Sequence, residues 1–485
     1  MNETRQLTGW RAPLLIVLAV VAARAQTFAD PVLGFDEQYY LLVADRWLHG
    51  ALPYVDIWDR KPLGLFALYA LAQLPPGDPF VLYKLLAAGF VATTALTIRR
   101  AALREAGPFG ATAAALLYVF WLNFMEGEGG QSPVFYNLPV LMAALLIRRG
   151  LERRGPLDRC GLAAMLLMGL AIQVKYTAVF EAAFFGLALV RAAQREWGVA
   201  PRLAGWALVW ALAALGPTLA VWATYAVMGH GQAFLFANFL SIFGRLPDPL
   251  PDRMAGLAAI AAILTPLVIL AALARRRWRR LTFIQRWVLA AALGVLLFGA
   301  FLSPSYGLPL VAPLCLCAAP WLGRSRVTQT VTLVLLALSF VGGTLAVRQI
   351  IIGKGNRAEA LAVAAAARPQ HGGCIWVWDG YPALYQLTGS CVPTRWAFPG
   401  HLNTSDEGSV RAIGVDPEAE VRRILATRPE AIVSDSPAYR LGNPATRALV
   451  EAELSRSYRL VARVPTGPGR VRLVYRLRSE AGVMP

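Results

Sequence analysis

Of the 485 residues, 57% are hydrophobic and 16% charged, against roughly 45–50% and about 25% in ordinary soluble domains. Both departures exclude a soluble enzyme, and so apolar a chain is not disordered either. The 47 basic and 29 acidic residues leave a net charge of +18; because the arginines gather at the ends of apolar runs, bilayer topology accounts for them and no nucleic-acid partner is expected.

Measured against the roughly 20 residues that a helix needs to cross hydrocarbon, eleven apolar runs stand out: 12–28, 80–98, 110–125, 133–147, 160–174, 177–190, 203–228, 254–274, 287–303, 306–323 and 327–349. The pair on either side of Lys175 divides less cleanly than the others. The first run lacks a small-residue cleavage site, so it reads as an anchor helix and not a signal peptide. With 32 Pro and 42 Gly in the chain, irregular membrane helices are expected. A cytoplasmic N-terminus puts Arg5, Arg11, Arg99, Arg100 and Arg104 inside, then the arginines of 148–159 and 191–202, the run Arg275–Arg280, and Arg324 with Arg326. The opposite loops hold only Arg46, Arg60, Lys61, Lys84, Lys175, Arg245 and Arg253 as basic residues. That asymmetry sets the expected orientation.

The segment 35–79, between the first two runs, is the informative one: FDEQYYLLVADRWLHGALPYVDIWDRKPLGLFALYALAQLPPGDP. Gln38–Leu48 has helical periodicity, with Tyr40, Val43, Ala44 and Trp47 on one face, and suits a helix lying in the interface plane. The apolar run 62–74 is too short to cross and reads as a second interfacial or re-entrant helix. Asp36-Glu37 falls at the membrane–water boundary, where a slightly desolvated carboxylate is a good proton acceptor; the alternative is an acidic first turn stabilising helix N–H groups. Asp56, Trp58, Asp59, Arg60 and Lys61 crowd two acids, two cations and an aromatic beside the apolar run. The cations suit either a substrate phosphate or bulk lipid headgroups, and Trp58 suits the interfacial aromatic belt.

Asp36-Glu37 after the first span, followed by Gly50-x-x-Pro53-Tyr54-x-Asp56-x-Trp58-Asp59-x-Lys61-Pro62-x-Gly64, resembles the first exported loop of GT-C glycosyltransferases. It looks most like family 39, which includes protein O-mannosyltransferases and lipid A aminoarabinose transferases. The resemblance extends loosely over the spans and the C-terminal domain, where WVWDGYPALYQLTG resembles bacterial relatives. It implies an all-α polytopic membrane fold with a small exported α/β domain. It also implies a hexosyl- or pentosyltransferase of the bacterial cytoplasmic (inner) membrane, taking sugar from a polyprenyl-phosphate donor on the exported face. The acceptor would be a glycan, lipid or protein, and the anomeric carbon would be inverted. Asp36 matches the carboxylate proposed as catalytic base or acceptor positioner, Glu37 would assist it or hold the acceptor, and Lys61 matches the lysine expected near the donor phosphate, with Arg60 beside it as the second candidate cation. Tyr40, Tyr54, Asp56, Trp58 and Asp59 complete the candidate substrate site. Leu63 stands where relatives carry a second proline, and Ser305-Tyr306 where they often carry His-Tyr. A divalent metal is a further possible cofactor at the phosphate.

Further along, MEGEGGQSPVFYN places Glu126 and Glu128 in a Gly-rich exported turn, as ligands of a metal, a sugar hydroxyl or a cation, or simply as solvated residues. Lys175 at membrane depth is a functional candidate or a snorkelling cation, and Tyr306 is a candidate substrate contact. The stretch 230–253 is a possible lid. His49, His230, His371 and His401 are too dispersed for a metal constellation.

Residues 1–351 are read as the membrane domain and 352–485 as the exported domain. In the latter, strand-like runs at 374–378, 431–434, 458–464 and 470–477 alternate with helical runs at 359–367, 417–427 and 446–454. Cys374 and Cys391 are expected to form a disulfide there; Cys160, Cys315 and Cys317 are expected to be packing residues. The alternatives to a glycosyltransferase are a flippase or transporter of lipid-linked sugars, a polysaccharide polymerase or ligase, and a non-catalytic scaffold. No internal repeat supports a transporter.

Overall fold

The computed structural model describes residues 9–198, 201–274, 281–299 and 302–478. Arg5 and the run Arg275–Arg280 lie outside the described residues. Each predicted apolar run is helical: α1 (Arg11–Arg24), α4 (Pro79–Trp121), α5 (Ser132–Leu151), α6 (Leu157–Ile172), α7 (Val179–Trp197), α8 (Pro201–Val227), α9 (Leu250–Leu273), α10 (Phe283–Phe298), α11 (Val311–Leu322) and α12 (Arg326–Lys354). Between α1 and α4 lie α2 (Phe35–Leu48) and α3 (Leu63–Gln73), the two short helices expected in the loop.

Two of the predicted runs form α4, interrupted at Gly107, whose φ of 65° is incompatible with a right-handed helix. Pro108 then opens the next segment with its φ preset. The chain does leave the helix between α6 and α7, so the division at Lys175 is real. Among the described residues, seven helices are long and apolar enough to cross a membrane. Of the eleven predicted runs, those at α1, α6 and α10 are helices of 14, 16 and 16 residues, short of that length. Prolines sit inside α5, α8 and α9, as irregular membrane helices allow. Only 17% of the most apolar stretch of α8 and 22% of that of α9 is buried within the protein. Apolar flanks this bare are stable against acyl chains and not against water. The chain is a multi-pass membrane protein.

The chain divides into two compact units. The helical unit comprises 1–28, 83–221 and 248–348; the α/β unit comprises 29–82, 222–247 and 349–485. The loop 35–79 and the segment 222–247 therefore belong to the same unit as the C-terminal domain.

In the α/β unit, β1 (Ile375–Val377), β2 (Ala431–Ser436), β3 (Tyr458–Pro465) and β4 (Val471–Leu477) form one sheet in the order β1-β2-β4-β3. The β1–β2 pair is parallel and the other two pairs antiparallel. Three helices accompany the sheet: α13 (Arg357–Ala367), α14 (Pro417–Ala426) and α15 (Pro444–Ser457). Each opens on a side-chain cap: Asn356 with Glu359 in a capping box, Asp416 before Pro417, and Asn443 before Pro444. Val363, Ile375, Ile432, Val433 and Val474 are fully buried in this unit. Cys374 and Cys391 are joined in a disulfide.

Candidate functional site

The segment between α2 and α3 holds most of the candidate residues, and its backbone explains how they are presented. Gly34 precedes α2, and a Cβ there would collide with the Glu37 side chain, which folds back over it. This glycine lets Glu37 reach the interior, where it is 2% exposed. Tyr54 takes a φ of 70°, its N–H donates to the Ile57 carbonyl at 2.7 Å, and the chain reverses there. Asp56 accepts from the Leu52 N–H at 2.7 Å and holds the same turn. Tyr54 donates its hydroxyl hydrogen to the Lys61 carbonyl at 2.8 Å. Behind it, Tyr225 donates to the Pro53 carbonyl at 3.0 Å, and Phe234 lies edge-on to the Tyr54 ring.

This frame brings Asp36, Tyr40 and Lys61 together. Lys61 Nζ is 3.7 Å from Asp36 Oδ2, and the two side chains are 30% and 39% exposed. Tyr40 donates its hydroxyl hydrogen to the same oxygen at 3.1 Å, and Lys61 Nζ lies 5.3 Å from the centre of its ring. Burial, with Asp36 beside it, pushes the Tyr40 hydroxyl well above its usual pKa, so it stays a donor. A half-exposed carboxylate with one neutral donor and one cation can accept a proton from an incoming hydroxyl. The adjacent ammonium can compensate an anion.

Asp59, one residue before the cations, is 7% exposed. Burial, partly offset by Lys61, raises its pKa to about 6. Its Oδ1 accepts from the Arg60 N–H at 2.6 Å.

Arg60 and Trp58 are placed differently from expectation. Arg60 Nε donates to Ser241 Oγ at 3.0 Å, Nη1 to Glu407 Oε1 at 2.6 Å, and Nη2 to the Ala412 carbonyl. The guanidinium, 14% exposed, ties three segments of the α/β unit together. Arg245 shares the Glu407 carboxylate and pairs also with Asp406. Of the segment 230–253, Arg245 is thus ion-paired within this unit. Trp58 is 2% exposed, too deep for an interfacial belt. His401 packs on it edge to face at 4.7 Å, and Arg60 lies over its ring at 4.8 Å.

His401 was not legible as a site residue in sequence. It is 3% exposed, its Nδ1 has no hydrogen-bond partner, and it meets Tyr39 and Phe398 as well as Trp58. Burial, with Arg60, Lys61 and Arg245 nearby, holds its pKa well below the usual value, so the ring is neutral.

Glu126, Glu128, Lys175 and Tyr306 lie in the helical unit. Glu126 has a φ of 54° and accepts from the Ser303 hydroxyl. Glu128 is 4% exposed. Lys175 Nζ stands 4.3 Å from the centre of the Tyr306 ring, which stacks on Phe298. The residue that organises this turn is Arg24, at the end of α1. Its buried guanidinium donates to the carbonyls of Glu128 at 2.8 Å, Gly129 at 2.9 Å and Gly127. Asn123 donates to the Ala23 carbonyl at 2.9 Å and Lys84 to that of Thr27 at 2.7 Å, closing the same corner.

Among the described residues, no group of three His, Cys, Asp or Glu side chains is placed to hold a metal ion.

No family model and no curated protein matches the sequence. Solved structures do match. ArnT from Cupriavidus metallidurans bound to undecaprenyl phosphate aligns over 95% of this chain and 97% of its own, at 15% identity and a TM-score of 0.59. Its apo state gives 0.61 at 14% identity. The oligosaccharyltransferase AglB from Archaeoglobus fulgidus, in complex with an inhibitory peptide and a dolichol-phosphate, aligns over 87% of this chain and 69% of its own, at 13% identity and a TM-score of 0.51. The chain has the GT-C fold of these membrane glycosyltransferases.

Proposed function

We propose that the chain is a membrane glycosyltransferase that moves a sugar, hexosyl or pentosyl, from a polyprenyl-phosphate donor to a glycan, lipid or protein hydroxyl. The reaction would take place on the exported face of the bacterial inner membrane. The observation that carries this reading is the Asp36–Tyr40–Lys61 contact on a GT-C frame. Its structural relatives include one bound to undecaprenyl phosphate and one in complex with a dolichol-phosphate.

A polyprenyl phosphate is already a good leaving group, so the chemistry asks for three things. The phosphate must be held, the charge growing on its oxygens compensated, and the acceptor hydroxyl deprotonated. Lys61 supplies the cation. Asp36 supplies the base, and Tyr40 holds the carboxylate oxygen that would otherwise rotate toward solvent. Lys61 and Asp36 neutralise each other at 3.7 Å. A donor phosphate takes over the ammonium, and Asp36 is released to accept a proton from the acceptor. Attack opposite the leaving phosphate inverts the anomeric carbon. Arg60 and Glu407 brace the loop that carries Lys61.

The experiment is a comparison of lipid extracts from cells with and without the protein, read by mass spectrometry. A polyprenyl-phosphate sugar that accumulates in its absence, and falls again with the wild-type chain but not with Asp36→Asn, is the expected result. Unchanged lipid-linked sugars contradict the proposal.

A further inference from the structure

A second feature of the helical unit lies at the helix ends remote from Glu126 and Lys175, on the face that charge bias places in the cytoplasm. The C-terminal ends of α5 and α7, the start of α10, the end of α11 and the residues just before the break in α4 enclose a cavity of about 1740 Å³. Pockets for small molecules measure roughly 300–1,000 Å³, so this one exceeds what a nucleotide or a sugar requires.

Its lining is of two kinds. Arg104, Arg148, Arg153, Arg191, Arg195 and Arg286 supply cations, and Glu105, Glu152 and Glu196 supply acids. The acids are largely spent. Glu105 pairs with Arg148 at 3.3 Å, and Glu152 pairs with Arg148 at 4.0 Å and with Arg154 at 3.0 Å. Arg104, Arg153, Arg191 and Arg195 have no ion pair among the described residues. The rest of the wall is hydrocarbon, including Leu157, Phe184, Leu187, Ala188 and Leu316. Leu187 is 67% exposed, so the hydrocarbon wall runs out to the protein surface where the cavity opens.

We propose that this cavity binds an acidic phospholipid, its phosphate among Arg104, Arg191 and Arg195 and its upper acyl chain along Phe184 and Leu187. Exposed guanidinium groups that have no ion pair among the described residues, at the edge of the apolar zone, suit an anionic headgroup, whose phosphate oxygens arginine can hydrogen-bond in pairs. A soluble anion would satisfy the arginines and leave the hydrocarbon wall wet. A zwitterionic lipid would cover the wall and leave the arginines uncompensated. This site is independent of sugar transfer and stands or falls without it.

The test uses the full chain, stripped of lipid in zwitterionic detergent and titrated with phosphatidylglycerol or phosphatidylcholine under native mass spectrometry. Phosphatidylglycerol is expected to bind at least tenfold more tightly. At about a fivefold loss per arginine, the triple variant Arg104→Ala/Arg191→Ala/Arg195→Ala weakens it roughly 100-fold. The control Arg159→Ala/Arg324→Ala/Arg326→Ala removes the same charge from exposed residues of this end that do not line the cavity and changes binding less than threefold. Should the triple variant not fold, as judged by its thermal midpoint without added lipid, Arg191→Ala alone is expected to lose about fivefold. Equal affinity for the two lipids, or an equal loss in the control, overturns the proposal. Displacement of phosphatidylglycerol by millimolar inorganic phosphate overturns it in favour of a free-anion site.

Discussion

Replacing Arg24 by Met isolates what its guanidinium does for the turn that carries Glu126 and Glu128. Three backbone carbonyls, of Gly127, Glu128 and Gly129, accept from it in a buried setting. Met keeps most of the side-chain volume and supplies no donor. Each carbonyl left unsatisfied costs about 1–3 kcal/mol. The Thr27 hydroxyl, 3.5 Å from the Glu128 carbonyl, recovers little. Taking the low end for each carbonyl gives a loss of about 3 kcal/mol for the closed turn, or roughly 100-fold in its opening equilibrium. The Gly127 amide, which donates to the Leu122 carbonyl at 2.9 Å, reports that opening through hydrogen exchange. Exchange in the peptide covering 122–132 is expected to rise by about that factor in Arg24→Met while α8 keeps its protection. Arg24→Lys, with one ammonium facing three acceptors, is expected to fall between. Wild-type exchange in Arg24→Met would refute the assignment of Arg24 as the anchor of the turn.

Three further outcomes are expected. Asp59 ionises near pH 6 in the folded protein and near 4 when unfolded, so its protonated form favours the native state. That contribution is complete below about pH 4 and is lost as pH rises to about 6, at most about 3 kcal/mol; Asp59→Asn should flatten the fall in stability across that window, read by denaturation at stepped pH. Asp435, raised to about 6 mainly by burial, titrates in the same window and keeps its own share in that variant. Opening the disulfide with Cys374→Ser/Cys391→Ser should cost about 3 kcal/mol, from the freed chain entropy of a loop with a sequence separation of 17, measured as a lower thermal midpoint. Arg60→Ala removes the charged hydrogen bond to Glu407, whose side chain is 9% exposed and keeps Arg245 as its remaining cation, and should destabilise the protein by about 1.5–3 kcal/mol; Lys61→Ala, at a half-exposed pair, should change the thermal midpoint little, which separates the tie from the site.

The helical framework was legible because apolar length and period carry it. The eleven runs and the two short helices between the first pair correspond to observed helices, and the four strands differ from expectation by a few residues at their ends. What the sequence concealed is direction and partnership. Arg60 and Lys61 are adjacent cations of equal claim to a phosphate. Only the fold shows that the first turns toward Glu407 and the second toward Asp36. Trp58 and His401 are 343 positions apart by their numbers, and nothing local announces that one covers the other. Arg24 looks like a cation ending a span, and its three carbonyl partners lie more than 100 residues away. The two-unit grouping was hidden for the same reason: the loop 35–79 and the segment 222–247 join the C-terminal domain through contacts between distant parts of the chain. Glu37 offered the one local clue, a glycine three residues before it that leaves room for a carboxylate to turn inward.

The most direct measurement is steady-state transfer from a purified polyprenyl-phosphate sugar by the wild-type chain, Lys61→Ala and Asp36→Asn in nanodiscs. Divided roles predict that Lys61→Ala raises the KM for the donor, while Asp36→Asn lowers kcat by about 10²–10⁴-fold and leaves donor affinity near the wild-type value. Turnover at the wild-type rate by both variants would contradict the account.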